Sequence, residues 1–197
     1  MIPTLTRRFS FWGLLLIVCH GCGGSMSAPN APGKNATTDP TPVVSAQPQV
    51  KLETVSFDRL QTELAGMRGK VVVLDCWATY CTPCIQEFPH LVELSESRPA
   101  DKLQCVSLSF DYQGVDELSE LQPKVLEFLQ AQKASRVRNF LSSDEDGVLY
   151  EKFGFGAIPV VRVYDQTGAL VKQFSNSGKE KFTYADVTAL VNKLLAE

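Results

Sequence analysis

Residues 69–89 read GKVVVLDCWATYCTPCIQEFP. Val71 to Trp77 is a short apolar run rich in β-branched residues, broken by a single charge at Asp75, and this is the pattern of a central strand covered on both faces. A helix is expected to follow from Thr82 to Ser97, kinked at Pro89, which cannot donate a backbone hydrogen bond. Cys81 and Cys84 therefore stand three apart where a buried strand hands over to a helix. Two thiols so spaced can close a small disulfide ring. At a helix N-terminus a thiol faces unpaired N–H groups and the positive end of the dipole, which holds its pKa well below the ordinary value and favours the nucleophilic thiolate. On this reading Cys81 attacks a partner's disulfide and Cys84 resolves the mixed disulfide from within the first turn. Pro83 stiffens that turn.

Other uses of such a pair fit the sequence less well. A structural disulfide more often closes a longer loop than this one. Zinc needs four ligands, and beyond the first 22 residues the chain offers one histidine, His90, with two further thiols, Cys76 and Cys105, on expected buried strands.

Outward from this stretch, strands and helices alternate. Phe57, Leu60, Leu64 and Met67 form a helical stripe that exits at Gly66 and Gly69. Downstream, Leu103–Phe110 reads as a strand, Leu118–Lys133 as a helix, Val137–Leu141 as a strand and Gly147–Phe153 as a short helix. Ile158–Tyr164 and Ala169–Phe174 pair across the turn at residues 165–168, and Tyr184–Ala196 closes the chain as an amphipathic helix. This order implies an α/β protein with a central mixed β-sheet flanked by helices on both faces. The turn at residues 144–147 is acidic but lacks the ligand spacing of a calcium loop.

The amino-terminal region reads differently. Arg7 and Arg8 precede an apolar stretch, Phe9–Val18, and small residues follow, so residues 1–22 have the plan of an export signal. The stretch is shorter than the roughly 20 residues of a membrane-spanning helix. Gly21-Cys22 also resembles a bacterial lipobox, with Cys22 as the lipidated residue, although Cys19 stands where leucine is usual. Plain signal cleavage and an uncleaved anchor are the alternatives. Residues 23–50 are proline-rich and poor in large apolar side chains, which describes a linker rather than a packed segment. Residues 51–197 are then the folded domain, with no internal repeat.

Composition agrees with one exported soluble domain. The chain has 197 residues, 44% hydrophobic and 21% charged, with a formal charge of -3 and a mean hydropathy of -0.04. Without Arg7 and Arg8, 17 basic residues face 22 acidic ones, a balance that argues against nucleic acid as a partner.

The stretch from Gly69 to Pro89 resembles the active-site region of thioredoxin-fold proteins, in particular the TlpA/ResA-like membrane-anchored thiol-disulfide oxidoreductases, and the similarity runs to the C-terminus. The resemblance implies a thioredoxin fold with Cys81 as the exposed nucleophile and Cys84 as the buried resolving thiol. Tyr80 stands where the family often has tryptophan, and Glu87 matches a glutamate that tunes the thiols; Trp77 is expected as a core and site-wall residue rather than a direct reactant. Ile158-Pro159 matches the loop whose cis-proline lies against the cysteine pair and whose backbone meets the substrate. An ordinary proline at a strand start is the alternative. Asp75 follows the thioredoxin pattern rather than the asparagine common in TlpA/ResA-like members. Thioredoxins pair that aspartate with a lysine on the next strand, and the matching residue here is Ser107. Asp75 is thus expected to titrate high and to take the Cys84 proton during resolution, unless it is merely a hydrogen-bonded structural carboxylate. A Cys76–Cys105 disulfide is not expected, because strand parity puts the two thiols on opposite faces.

The family implies exported proteins with cysteine pairs as substrates, such as apocytochrome c, and a membrane electron donor, with no metal or other cofactor. Two rivals are disfavoured. A peroxiredoxin-type peroxidase wants Thr or Ser at position 78, which is Ala. A Sco-like copper module wants a wider cysteine spacing and a later histidine, and none follows His90.

Overall fold

The computed structural model describes residues 49–176 and 181–196. The expected export signal, Cys22 and all but the end of the proline-rich segment lie outside the described residues. Six strands form one mixed sheet. They are β1 (Leu52–Val55), β2 (Val71–Trp77), β3 (Leu103–Ser109), β4 (Arg138–Ser142), β5 (Val160–Tyr164) and β6 (Leu170–Ser175), in the spatial order β1-β4-β3-β2-β5-β6. The first four run parallel where they pair, while β5 lies antiparallel to both β2 and β6. All seven residues of β2 are buried, as its near-continuous apolar run requires of a strand with a neighbour on each side and helices on each face.

The helices are α1 (Phe57–Ala65), α2 (Thr82–Glu96), α3 (Leu118–Ala131), α4 (Asp146–Phe153) and α5 (Tyr184–Ala196). Ser56 caps α1 by accepting the Arg59 N–H, and the apolar stripe buries Leu60 and Leu64. On the face of β2 that carries Asp75 and Trp77, the Trp77 ring packs on Phe88 of α2 and Phe128 of α3 at 4.8 and 4.7 Å between centroids. Helix α5 joins this layer through Tyr184, which reaches Asp75. The other face carries Leu74 and Cys76. Arg162, opposite Leu74 on β5, stacks there on Phe153 of α4 at 4.7 Å, and Phe153 in turn meets Phe57 of α1 at 5.0 Å.

Two elements differ from expectation. Strand β1 was not legible, since four residues (LETV) at the sheet edge with two exposed side chains carry almost no periodic signal. Strand β5 starts at Val160 rather than Ile158, because Pro159 has no N–H to give to the ladder. In the turn between β5 and β6, Gly168 adopts φ 85°, a conformation that suits glycine, and Asp165 Oδ1 accepts from the Thr167 and Ala169 N–H groups. Among the described residues no helix is long and apolar enough to cross a membrane.

Candidate active site

Strand β2 ends at Trp77, and the next four residues turn the chain into α2. Cys81 is the N-cap of that helix, with Pro83 in the first turn. Its sulfur accepts the Cys84 N–H at 3.4 Å, so the helix terminus already directs a donor at this thiol. Cys81 and Cys84 form a disulfide with Cα atoms 5.2 Å apart. Both are nearly buried in this oxidised form, with Cys81 keeping the larger share at 8% exposed against 3% for Cys84. Cys81 is therefore less open than the resemblance implied.

The Ile158–Pro159 peptide bond is cis. Ile158 is half-buried and Pro159 buried, and together with Ala157, Pro83, Asn176 and Lys181 they line a depression of about 220 Å³ beside the first turn of α2. Tyr80, the residue before Cys81, is 51% exposed, with its hydroxyl 3.4 Å from Asp146 Oδ2. Tyr80, Cys81, Ile158 and the depression therefore offer an exposed rim next to the disulfide. Trp77 does not share it. Its side chain is fully buried between Phe88 and Phe128, so of its expected core and site-wall places it holds the core one, and its place among the substrate-facing residues is corrected.

Asp75, in β2 six residues before Cys81, is 3% exposed. Burial pushes its carboxyl up from 3.8 to about 7; a hydrogen bond from Tyr184 opposes the rise and the negative charge of Glu87 adds to it. Tyr184 Oη donates to Asp75 Oδ2. Ser107 is directly opposite Asp75 on β3, as expected, but its hydroxyl donates to Asn139 Oδ1 at 2.9 Å and leaves the carboxylate alone. Glu87 sits one turn after Cys84 on α2, a spacing that puts both on one side of the helix. It is half-buried and lines a cleft of about 550 Å³ between α2 and α5 with His90, Thr183 and Tyr184. Cys76 and Cys105 are free and buried, and burial followed by the nearby Asp75 charge pushes both thiols up, so they stay protonated and unreactive.

Two functional neighbours were missed in the sequence. Tyr184 reads simply as the first apolar residue of a C-terminal helix. Asp111 lies just past β3, where it accepts from the Thr79 N–H at 3.1 Å, from the Thr79 hydroxyl, and from the Ser109 hydroxyl at 2.5 Å. It ties down the loop that delivers Cys81. The Ser109-Phe110-Asp111 spacing at a strand end was the available signal, since a hydroxyl two residues before an aspartate can close a local turn.

This geometry has relatives. Residues 42–193, most of the chain, match the Redoxin family. The chain belongs to the Redoxin family. Over 63 residues this redoxin is 40% identical to the thioredoxin-like protein YneN of Bacillus subtilis, covering 32% of this chain and 35% of that protein. Over 85 residues it is 32% identical to the thiol-disulfide oxidoreductase ResA of the same organism, covering 43% and 44%. The chain thus spans under half the length of these curated relatives. Among solved structures, the exposed lipoprotein thioredoxin of Streptococcus pneumoniae matches 66% of the redoxin and 90% of that chain at a TM-score of 0.52 and 18% identity. A putative thiol:disulfide interchange protein DsbE from Chlorobium tepidum matches 68% and 83% at a TM-score of 0.51 and 27% identity. The fold is the thioredoxin fold, and the similarity to ResA and YneN agrees with the TlpA/ResA-like resemblance of residues 69–89.

Proposed function

We propose that this redoxin is an extracytoplasmic thiol-disulfide oxidoreductase that exchanges disulfides with exported proteins, and that it works as a reductant. The observation that carries the reading is the Cys81–Cys84 disulfide at the N-terminus of α2, next to a cis-proline rim and following a strand that buries a carboxyl whose pKa is raised to about 7. In the reduced protein the Cys81 thiolate, favoured by the helix terminus, attacks one sulfur of a substrate disulfide. One substrate sulfur bonds to Cys81 and the other leaves as a thiolate that takes a proton from water. Cys84 then gives its proton to Asp75 and attacks Cys81, forming the intramolecular disulfide and releasing the second substrate thiolate, which is protonated in turn. The substrate is reduced by two electrons and the protein oxidised by two.

In this reading the backbone at Ile158 and the exposed face of Tyr80 receive the substrate chain, and Glu87 adjusts the Asp75 carboxyl. Residues 1–22 export the chain, Cys22 carries the lipid anchor, and residues 23–50 hold the domain off the membrane, where tethering raises its effective concentration toward membrane-associated partners. ResA-like similarity supports reduction of apocytochrome c or other disulfides, with electrons from a membrane donor. Cys84→Ser tests the exchange step: it is expected to accumulate mixed disulfides through Cys81, and an extract that yields none overturns substrate-level exchange. The reduction potential of the Cys81/Cys84 couple tests direction. A value below about -230 mV supports the reductant, and one above about -180 mV marks an oxidant or isomerase.

A further inference from the structure

We propose that Tyr184 is a positioning residue for the exchange reaction, holding the Asp75 carboxyl by a hydrogen bond and so bringing the α2–α5 interface into the redox site. The proposal rests on the reading of Asp75 as the proton acceptor for Cys84. Among the described residues, Tyr184 is the side chain that donates to Asp75. The other titratable groups near the carboxyl are Glu87 from α2 and Cys105 from β3, with Cys76 next to it in sequence but projecting to the opposite face, and none carries a positive charge. Ser107, at the position from which a thioredoxin lysine would act, is turned to Asn139. The phenol therefore stands as the local support for the ionised carboxylate.

Placement makes this support part of the site rather than of the core alone. Tyr184 is buried, yet its side chain forms one wall of the open cleft between α2 and α5, opposite Glu87 and His90. Its ring lies 5.9 Å from His90 and 6.5 Å from Phe182. One residue thus spans from solvent-facing cleft to buried acid. Burial, with the nearby Asp75 charge, pushes the Tyr184 phenol well above its ordinary range, so it remains a donor throughout the working pH range. A hydrogen bond to a carboxylate favours the ionised form. The phenol thereby opposes burial and keeps Asp75 able to accept a proton near neutral pH.

The test uses the full chain with Tyr184→Phe, which keeps the ring contacts and removes the hydroxyl. A mixed disulfide between Cys81 and a chromogenic aromatic thiol is formed on the protein, and release of that thiol by Cys84 is followed from pH 5 to 9. The wild type is expected to show a rising limb set by Asp75, Asp75→Asn to lose it, and Tyr184→Phe to shift it upward by about one pH unit, the size expected when a carboxylate loses one hydrogen bond. A limb lost in Asp75→Asn but unmoved in Tyr184→Phe overturns the Tyr184 proposal while leaving Asp75 in its role. A limb that survives Asp75→Asn unchanged overturns both. Should Tyr184→Phe lower Tm, the double variant decides: it is expected to match Asp75→Asn at every pH, and any further loss of rate shows a merely structural tyrosine. Carboxyl-carbon NMR titration of Asp75 gives an independent reading, with the midpoint rising in Tyr184→Phe if the proposal holds and staying put if it fails.

Discussion

Two buried carboxylates flank the entry to α2, and they are supplied with hydrogen bonds in opposite ways. Asp111, past the end of β3, accepts from a backbone N–H and two hydroxyls, all on or next to the strands whose ends it ties together. Asp75, inside β2, has one phenol, and a serine opposite that turns away. The first is a clamp on the loop before Cys81. The second is an acid kept short of partners, which is the condition for holding and releasing a proton near neutral pH. Burial alone does not decide which role a carboxylate takes; the count of donors aimed at it does.

The largest expected effect follows from Asp75. Its folded-state pKa, about 7, lies above the unfolded value near 3.8, so the stability it contributes is complete below about pH 3.8 and is lost as the pH climbs to about 7. A rise of about three pH units, at about 1.4 kcal/mol each, amounts to about 4 kcal/mol. Asp75→Asn, which has no such titration, is expected to match the wild type near pH 4 and to exceed it by about that amount at pH 8 in urea unfolding of the oxidised protein. Resolution by Cys84 is expected to slow in the same variant while the first attack is spared. Equal pH dependence in the two proteins would break the contrast between the carboxylates.

Asp111→Ala should act in the reverse sense. It strips the acceptor from the Thr79 N–H and from two hydroxyls in a buried setting, and a loss of about 3 kcal/mol is expected at pH 8. Hydrogen exchange at the Thr79 amide should accelerate together with the loss of Tm. If exchange there is unchanged, the loop is held by something else.

How much of this was legible in the sequence depends on whether a role is local. The pairing of Asp75 with Ser107 came from the thioredoxin resemblance, whereas strand β2 and the turn into α2 could be read because a seven-residue apolar run is a local fact. The high titration of Asp75 followed from the same reasoning. Tyr184 could not be read, since 109 residues separate it from Asp75 and only the closure of α5 onto β2 brings them together. Trp77 was expected as both a core and a site-wall residue, and only the core place holds. Phe128 of α3 and Phe88 of α2 cover the ring and shut the indole in. Strand β1 failed for the plainer reason that four edge residues have no period to detect.

The smallest effect is the most informative about how the site is tuned. Glu87 raises the Asp75 pKa by charge alone, and it is the weakest of the three named influences, behind burial and the Tyr184 hydrogen bond. Glu87→Gln should therefore lower the Asp75 midpoint by a few tenths of a pH unit, the size of one charge acting through partly hydrated surroundings. That direction is opposite to the one expected of Tyr184→Phe. Because Glu87 lines the open cleft, salt should screen it, so roughly 1 M salt is expected to move the wild-type midpoint down toward the Glu87→Gln value and to leave the variant almost where it was. A hydrogen bond inside the protein has no such sensitivity to salt. If salt moves Glu87→Gln as much as the wild type, then the charge felt by Asp75 comes from elsewhere on the acidic surface, and α2 contributes only the cysteines to the chemistry.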